Sequence, residues 1–218
     1  WPLDQDARDL IGTNDGTLHG APAFEPDATR GEVLVCDGTD DRISLRNFLP
    51  GTFTLSAWLN TTQTSPTGTL GYEGNGLFWS DLGGPANDFT VALLNDRLAA
   101  YDGAAPEGSY GTNGSTPLND GVWHHIAVVR DGAARVTTLY VDGALDGTGV
   151  AGAAAPVANP TWHICANVLD ARFFAGRLDD VRQFDRALSL AEVTELATPA
   201  GDPDAGTPDA GTRDAGTT

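Results

Sequence analysis

Short segments in which apolar and polar residues alternate dominate the chain, and this is the pattern of half-buried β-strands. Alternation runs through residues 32–45 and again through residues 52–60. The clearest feature lies in residues 120–143, where an alternating run, an Asp131-Gly132 turn and a second run over residues 137–141 follow one another. This arrangement predicts a β-hairpin.

Further short strands are predicted on both sides of that hairpin. Before it, residues 69–72, 77–80, 89–94 and 98–101 are separated by Gly, Asn and Pro clusters. After it, residues 161–166 and 172–184 have the same character. Strands that recur every eight to twelve residues, roughly, with turn signals between them are typical of sandwiches. The pattern therefore predicts an all-β fold, a two-sheet antiparallel β-sandwich.

One short helix and a low-complexity tail are predicted at the C-terminal end. Ser189 and Glu192 have the spacing of a capping box, and the apolar Val193 and Leu196 follow them. From residue 198 the chain repeats Asp-Ala-Gly-Thr units with almost nothing apolar larger than Ala, so it cannot bury enough surface to offset its ordering entropy. We expect one domain, residues 1–197, and a repeat tail or linker, residues 198–218.

Acidic residues outnumber basic ones: 30 Asp and Glu face 12 Arg and no Lys, which gives a net charge of −18. Residues 201–218 account for −3 of this charge, so −15 belongs to residues 1–200. A nucleic acid is excluded as a natural partner because its phosphates would be repelled. A divalent cation is compatible with this charge.

No apolar run approaches the ~20 residues that span a bilayer. The chain starts at Trp1 without a Met or a basic-then-apolar leader, which indicates a mature or trimmed product. We therefore expect a secreted protein, extracellular or on the cell surface, with no membrane span.

The two cysteines, Cys36 and Cys165, are far apart, lack CxxC spacing and lie in predicted strands. Two buried thiols are one interpretation, and a disulfide that joins an early strand to a late one is the other. The exported character of the chain favours the disulfide, because disulfides persist in oxidising compartments.

Five sequence blocks occur in the order typical of laminin-G-like and pentraxin-like jelly rolls of the concanavalin A-like lectin/glucanase fold group. They are DLIGTNDGTLHG at residues 9–20, VLVCDGTDDRISL at 33–45, FTLSAW at 53–58, the hairpin, and FFAGRLDDVRQFDRALS at 173–189. The resemblance covers nearly all of residues 1–197 and implies two antiparallel sheets packed face to face, one of them curved into a shallow concave surface. Cys36 departs from the pattern, which usually has a large apolar residue there.

The resemblance also implies a structural Ca²⁺ between the N-terminal loop and the late Leu-Asp-Asp strand, because related domains often hold one there. Carried over by motif position, the implied ligands are Asp9, Asn14, Asp179, the carbonyls of Gly12 and His19, and Asp37 as a neighbour. The alternative is that Asp9 and Asn14 cap turns through their side chains and that Asp179 is a solvated strand end.

Catalysis is not expected of this chain. Glycanases of this fold present two carboxylates as E-x-D-x-x-E or E-x-D-x-E on one strand, and neither motif occurs here. Asp40-Asp41, Asp179-Asp180 and His124-His125 are adjacent pairs, and adjacent residues of a strand point to opposite faces. The sequence therefore predicts a protein that is not an enzyme.

Aromatic residues in the central region are the remaining candidates for ligand binding, because Trp and Tyr rings stack on sugars while neighbouring polar groups hydrogen-bond to them. Trp58 and Trp123 lie inside the family motifs and are interpreted as structural. The candidate ligand-binding residues are Tyr72, Trp79, Asp81, Asn95, Arg97 and Tyr101. A single aromatic among turns more often serves packing.

Two functions of different classes follow. The first is a non-catalytic extracellular recognition or adhesion domain that binds a glycan or an extracellular protein surface. The alternative is a subunit of an extracellular homopolymeric assembly or filament, in which the repeat tail docks on a neighbouring copy and so mediates self-association.

Overall fold

The computed structural model describes residues 1–84, 86–104 and 106–198, so the predicted tail lies outside the described residues except for Thr198. The alternative function depends on that tail, so the residues it needs are outside the described part of the chain. Within the described part, no helix is long and apolar enough to cross a membrane. The strands, in chain order, are β1 (Thr17–His19), β2 (Ala23–Asp27), β3 (Gly31–Asp37), β4 (Arg42–Arg46), β5 (Thr52–Asn60), β6 (Asn75–Ser80), β7 (Asp88–Leu94), β8 (Arg97–Ala104), β9 (Gly108–Pro117), β10 (His124–Asp131), β11 (Val136–Val141), β12 (Ala144–Val150), β13 (Thr161–Ile164), β14 (Ala166–Asn167), β15 (Arg172–Phe173) and β16 (Ala175–Phe184).

Two sheets form a sandwich, which confirms the predicted fold class. Across the described residues, the larger sheet has nine strands, in the order β1-β4-β13-β6-β7-β8-β9 with β14 and β15 beside β6. The smaller sheet has seven, in the order β12-β11-β10-β5-β16-β3-β2. All pairings are antiparallel except the single contact of β15 with β6. In both sheets, strands that are distant in sequence lie next to each other, as in a jelly roll.

The hydrophobic core fills the space between the sheets because alternate residues of each strand face inward. In β5, Phe53, Leu55 and Leu59 belong to this core. Phe53 meets Phe89 of the larger sheet edge to face, with ring centroids 4.8 Å apart. Burying one such side chain contributes about 1.5–3 kcal/mol. The remaining residues, which alternate with the core residues along each strand, lie on the outer faces.

A disulfide joins the two sheets. Cys36 of β3 is bonded to Cys165, which lies between β13 and β14, and their Cα atoms are 6.4 Å apart. Both residues are buried in the core. Of the two interpretations from sequence, the disulfide is therefore confirmed.

The short helix α1 (Leu190–Leu196) packs on the outer face of the smaller sheet. It begins after Ser189, whose hydroxyl accepts the Glu192 N–H while the Glu192 carboxylate accepts the Ser189 N–H, so the predicted capping box is present. Its Val193 packs with Ala127 and Val129 of β10. The opposite face of the molecule, the outer face of the larger sheet, has no α-helix among the described residues.

One expectation about strands was wrong, and four strands, β1, β2, β9 and β12, were not predicted. Residues 69–72 are a turn that leads into a 3-10 helix (Gly71–Glu73), not a strand. The Glu73 carboxylate accepts the N–H groups of Thr69 at 2.7 Å and Leu70 at 2.8 Å, so these groups are satisfied locally instead of in a ladder. Of the strands that were not predicted, β9 and β12 are rich in Gly, Ser and Thr and lack apolar alternation.

Candidate functional site

A row of polar and aromatic residues crosses the outer face of the larger sheet. The strand register pairs Ser44 with His163, His163 with Trp79, Trp79 with Thr90, and Thr90 with Tyr101. Each of the five lies between two buried residues of its own strand that face inward, so alternation places all five on the outer face. We call these five residues the polar strip.

Hydrogen bonds and ring contacts organise the polar strip. Ser44 Oγ and His163 Nδ1 are 3.0 Å apart. Burial, with smaller contributions from neighbouring Arg42 and His19, lowers the pKa of His163 to about 4, so this imidazole is neutral at pH 7. At the other end, the ring of Tyr101 meets that of Tyr72 edge to face at 5.0 Å.

Two carboxyl groups lie at one side of the strip. Asp81 follows β6 and is 9% exposed, and Asp88 begins β7 and is 1% exposed. Asp88 accepts the Leu82 N–H at 3.1 Å, and Asp81 accepts the Gly83 N–H at 2.5 Å. Burial, together with the charge of Asp81, raises the pKa of Asp88 to about 6.

Three buried polar atoms of this surface have no hydrogen-bond partner among the described residues: Trp79 Nε1, Thr90 Oγ1 and Asp88 Oδ2. They lie on neighbouring strands, because Trp79 pairs with Thr90, and Asp88 is two residues before Thr90 on the same face. A buried polar group without a partner costs about 1–3 kcal/mol. Six further atoms of this kind lie elsewhere among the described residues, so these three do not by themselves assign a binding site.

The structure brings together four of the six residues that the sequence suggested for ligand binding: Tyr72, Trp79, Asp81 and Tyr101. Arg97 is exposed, and it lies where β8 begins. The amide of Asn95, in the turn before β8, bonds to the N–H and the carbonyl of Gly68, so it stabilises a loop.

Trp79 requires a correction. Its side chain is 1% exposed, so the indole presents no open face on which a sugar ring could stack. It packs within the outer face, between His163 and Thr90. Among the Trp and Tyr residues of this surface, Tyr72 is the one that is partly exposed.

The sequence did not suggest Ser44, Thr90 or His163, which complete the strip, and it did not select Asp88. For Asp88 and Thr90 the sequence does contain a signal: in β7 these two polar residues alternate with the core residues Phe89 and Val91. Polar residues at the outward positions of a strand rich in apolar residues are a candidate surface. Their neighbours across the sheet depend on register between distant segments, which the sequence does not reveal.

The residues implied for calcium binding are spread over several local structures. Asp9 accepts the N–H groups of Ile11 at 3.1 Å, Gly12 at 2.9 Å and Asn14 at 3.0 Å, as in an Asx-type turn. The Asn14 amide bonds to the carbonyl and the N–H of Arg46. The bonds of Asp9 match the capping alternative, whereas those of Asn14 join the loop to β4 and do not cap a turn.

Asp179 has a different environment. It is 4% exposed, and its carboxylate is 2.6 Å from Nε of Arg30, so it is not a solvated strand end. Burial raises the pKa of Asp179 to about 6, although Arg30 opposes this rise. The Arg30 guanidinium lies 4.2 Å from the centroid of the Trp58 ring. Arg30 therefore covers one face of the Trp58 ring. Both residues line a cleft of about 650 Å³ beside α1.

Asp37 lies in a third place, at the turn between β3 and β4. Its carboxylate oxygen is within 4.8 Å of those of Asp40 and Asp41, and Asp41 also accepts the Ala21 N–H, close after His19. Exposed carboxylates often group in this way without an ion, so the grouping assigns no metal. The calcium ion and its implied ligands stay predictions.

The adjacent histidines of the central hairpin point apart, as strand parity predicts. His125 is 2% exposed, and burial lowers its pKa to about 4. His124 lies at the surface between Asp142, at 2.8 Å, and Asp120, at 3.3 Å. The two imidazoles therefore do not form a metal pair.

Comparison with known proteins identifies the class. Residues 37–194 match the laminin-G family model described as the concanavalin A-like lectin/glucanases superfamily. This match covers more than half of the chain, so the chain belongs to that family, as the five sequence blocks indicated. A search of curated protein sequences finds no match.

Several solved structures share the fold. Domain 4 of AbnA, an extracellular arabinanase from Geobacillus stearothermophilus solved with arabinotriose, has a TM-score of 0.69 and 20% identity over 88% of this chain and 93% of its own. The binding domain of Paraclostridial Mosquitocidal Protein 1 has a TM-score of 0.63 and 14% identity over 89% and 51%. The binding domain of Botulinum Neurotoxin DC, solved with SialylT, has a TM-score of 0.61 and 11% identity over 90% and 50%. This chain thus spans about half the length of the toxin domains, and the likeness concerns the fold.

Proposed function

We propose that this protein is a non-catalytic glycan-binding domain and that the polar strip, with Tyr72 and Asp81 beside it, is the binding surface. The observation that carries the proposal is the register that aligns aromatic, hydroxyl and imidazole groups across the outer face of the larger sheet. At the side of this row, the carboxyl group of Asp81 supplies an acceptor that is 9% exposed.

The chemistry of these side chains suits a sugar. A pyranose or furanose has an apolar face, which stacks on tyrosine, and a rim of hydroxyl groups, which exchange hydrogen bonds with carboxylates, hydroxyls and imidazoles. Tyr72 supplies the accessible ring. Ser44 and the neutral His163 supply groups that both donate and accept, and Asp81 accepts.

The family and the structural relatives support this proposal. Domain 4 of the arabinanase was solved with arabinotriose, and the neurotoxin binding domain was solved with SialylT. For this chain, these ligands motivate the choice of a carbohydrate as the partner. The buried disulfide supports an extracellular location, because such bonds persist in oxidising compartments.

The carboxyl groups do not favour a hydrolase. Glycoside hydrolysis needs two carboxyl groups separated by about 5–9.5 Å, one on each side of the scissile bond. Asp88 is 1% exposed and accepts the Leu82 N–H, so it is not presented to a scissile bond opposite Asp81. We therefore propose binding without cleavage.

A glycan array followed by calorimetry tests the proposal. Tyr72→Ala should weaken the strongest interaction by about tenfold, since a stacked ring contributes on the order of 1 kcal/mol. Tyr110→Ala is the matched control, because Tyr110 is also partly buried but pairs with Asp102, next to the position of Tyr101, and so faces away from the strip. No binding to any glycan, or an equal loss in both variants, would refute the proposed surface.

A further inference from the structure

Arginines without an acidic partner stand out in a chain whose net charge is −18. Among the residues that the structure describes, Arg42, Arg46 and Arg97 have no carboxylate oxygen within 4.0 Å, whereas each of the other arginines placed there has one. Arg42 and Arg46 lie on the same strand, β4, and both are open to solvent. Carboxylates are abundant in this chain, so two neighbouring guanidinium groups without one leave a local excess of positive charge.

The two arginines of β4 lie on either side of Ser44, which is the first residue of the polar strip. Residues 42, 44 and 46 alternate with the core residues Ile43 and Leu45, so all three face outward. Alternate positions of a strand are about 7 Å apart, a distance that a long arginine side chain spans. Both guanidinium groups can therefore reach a single group that is bound over Ser44.

Side chains next to β4 on the same face add hydroxyl and imidazole groups. The register places Thr17 of β1 and His163 of β13 opposite Ser44. Burial is the main cause of the low pKa of His163, and the charge of Arg42 lowers this pKa further, so that charge reaches the strip. We call Thr17, Arg42, Ser44, Arg46 and His163 the basic patch. All five residues are at least partly exposed, so a ligand can reach them.

The surroundings of the two arginines differ. Arg42 follows an acidic turn, and its Nη1 donates to the carbonyl of Asp40 at 3.4 Å. Arg46 lies at the opposite end of β4, and its guanidinium is 5.1 Å from the centroid of the Phe48 ring. This aromatic contact positions the guanidinium without neutralising its charge. Arg46 is therefore the better placed of the two for an anionic ligand.

A single anionic group complements the basic patch. Arginine binds carboxylate and sulfate groups through charge-assisted hydrogen bonds, and the neighbouring hydroxyl groups donate as well. At physiological ionic strength charges act over about 8 Å, so the acidic remainder of the molecule is largely screened from a group held between the two arginines. On this basis, which rests on the proposed glycan-binding function, we propose that the basic patch binds an isolated carboxylate or sulfate group and so makes the protein select acidic glycans over their neutral forms.

The test uses sets of glycans that differ only in the acidic group. An array that contains neutral oligosaccharides beside their sialylated, glucuronylated and sulfated forms identifies the strongest set, and the separate forms distinguish a carboxylate from a sulfate. Calorimetry at pH 7.5 then gives the dissociation constants of the acidic and the neutral member. We expect the acidic member to bind about tenfold tighter, the effect of one added charge-assisted hydrogen bond.

Substitutions in the basic patch test its role. Arg46→Gln should reduce the ratio of the two constants severalfold, and Arg42→Gln should reduce it less. Arg46→Lys keeps the charge and should preserve most of the ratio. Arg186→Gln is the matched control, because it removes the same charge beside α1 on the smaller sheet, where Arg186 pairs with Glu192 at 2.7 Å. This control should leave the ratio unchanged, and melting curves verify that every variant folds.

Each outcome has a distinct meaning. Equal or tighter binding of the neutral member overturns the selectivity and leaves glycan binding intact. A ratio that neither Arg42→Gln nor Arg46→Gln changes overturns the role of the basic patch. An equal reduction in Arg186→Gln assigns the effect to net charge and also overturns it. Failure to bind any glycan overturns the proposed function itself, and the selectivity with it.

Discussion

Arg130 of the smaller sheet and Asp102 of the larger sheet form a buried ion pair that crosses the sandwich. Nε of Arg130 is 2.7 Å from Oδ2 of Asp102, and Nη2 is 3.2 Å from Oδ1. Each side chain is 4% exposed. The carbonyls of Gly51 and Ala153 accept further bonds from Arg130, and the Gly152 N–H donates to Asp102. The pair is therefore fully enclosed and hydrogen-bonded.

Removal of one partner of this pair should be strongly destabilising. Asp102→Ala leaves a buried guanidinium without its counter-charge, and we expect a loss of about 3–5 kcal/mol in the free energy of unfolding. Urea denaturation measures it. Glu107→Gln breaks the exposed pair with Arg135 and should cost far less, because solvent screens an exposed ion pair. A similar small loss in both variants would contradict the importance of the buried pair.

Loss of the disulfide should destabilise the domain by about 2–5 kcal/mol, because the bond closes a long loop and so restricts the unfolded chain. The sequence separation of Cys36 and Cys165 is 129 residues. Denaturation with and without reductant measures the effect. The double variant C36S/C165S is the control, since its stability should not respond to reductant. An unchanged unfolding midpoint in reduced wild-type protein would contradict this expectation.

Asp88→Asn should stabilise the domain at neutral pH. The folded pKa of Asp88, about 6, lies above its ordinary value of 3.8, so the folded state holds the proton more tightly. Protonated Asp88 therefore stabilises the folded state below pH ~4, and this stabilisation is lost as the pH rises through about 6. At pH 7.5 the asparagine variant should exceed wild type by about 1–2 kcal/mol, and the difference should vanish below pH ~4.

Melting temperatures measured from pH 4 to pH 8 test this dependence. Asp185→Asn replaces an exposed carboxylate and should follow the wild-type profile at every pH. A constant difference between Asp88→Asn and wild type across this range would show that packing, and not ionisation, sets the effect.

Calcium binding is tested by removal of the ion. If the resemblance holds for this property, EDTA should lower the melting temperature, excess Ca²⁺ should restore it, and calorimetry should detect one site per chain. Asp179→Asn should remove the response if Asp179 is a ligand, although loss of the Arg30 pair also lowers the baseline. Wild-type protein with no calorimetric heat and no thermal response would contradict the prediction.

Much of the fold was predictable, because alternation within a strand is a local property. Residues 52–60 were predicted as a strand and form β5 with the same bounds. Ser189 and Glu192 marked the start of α1, since a capping box involves atoms only three residues apart. In contrast, β9 and β12 depend on contacts between distant segments: the Asp146 carboxylate accepts the N–H groups of Ser115 at 3.1 Å and Thr116 at 2.9 Å.

The candidate site was predictable only in part. Tyr72, Trp79 and Asp81 were suggested by residue type and by their place in the central segment. His163 comes from a strand about eighty residues further along the chain, and it joins the strip only because β13 pairs with β6. Trp79 was expected to be available to a ligand, but it is 1% exposed and lies between His163 and Thr90 of the neighbouring strands.

By itself the sequence determined the elements whose signals are local: the strands with apolar alternation, the capped helix, the negative net charge and the family blocks. Tertiary structure alone decided which distant residues are neighbours. It joined Cys36 to Cys165, gave Asp102 and Asp179 arginine partners, and left Asp81 and Asp88 buried together without one. The physical reason is that burial and pairing depend on register between strands far apart in the chain, and this register sets the chemistry of the proposed glycan surface.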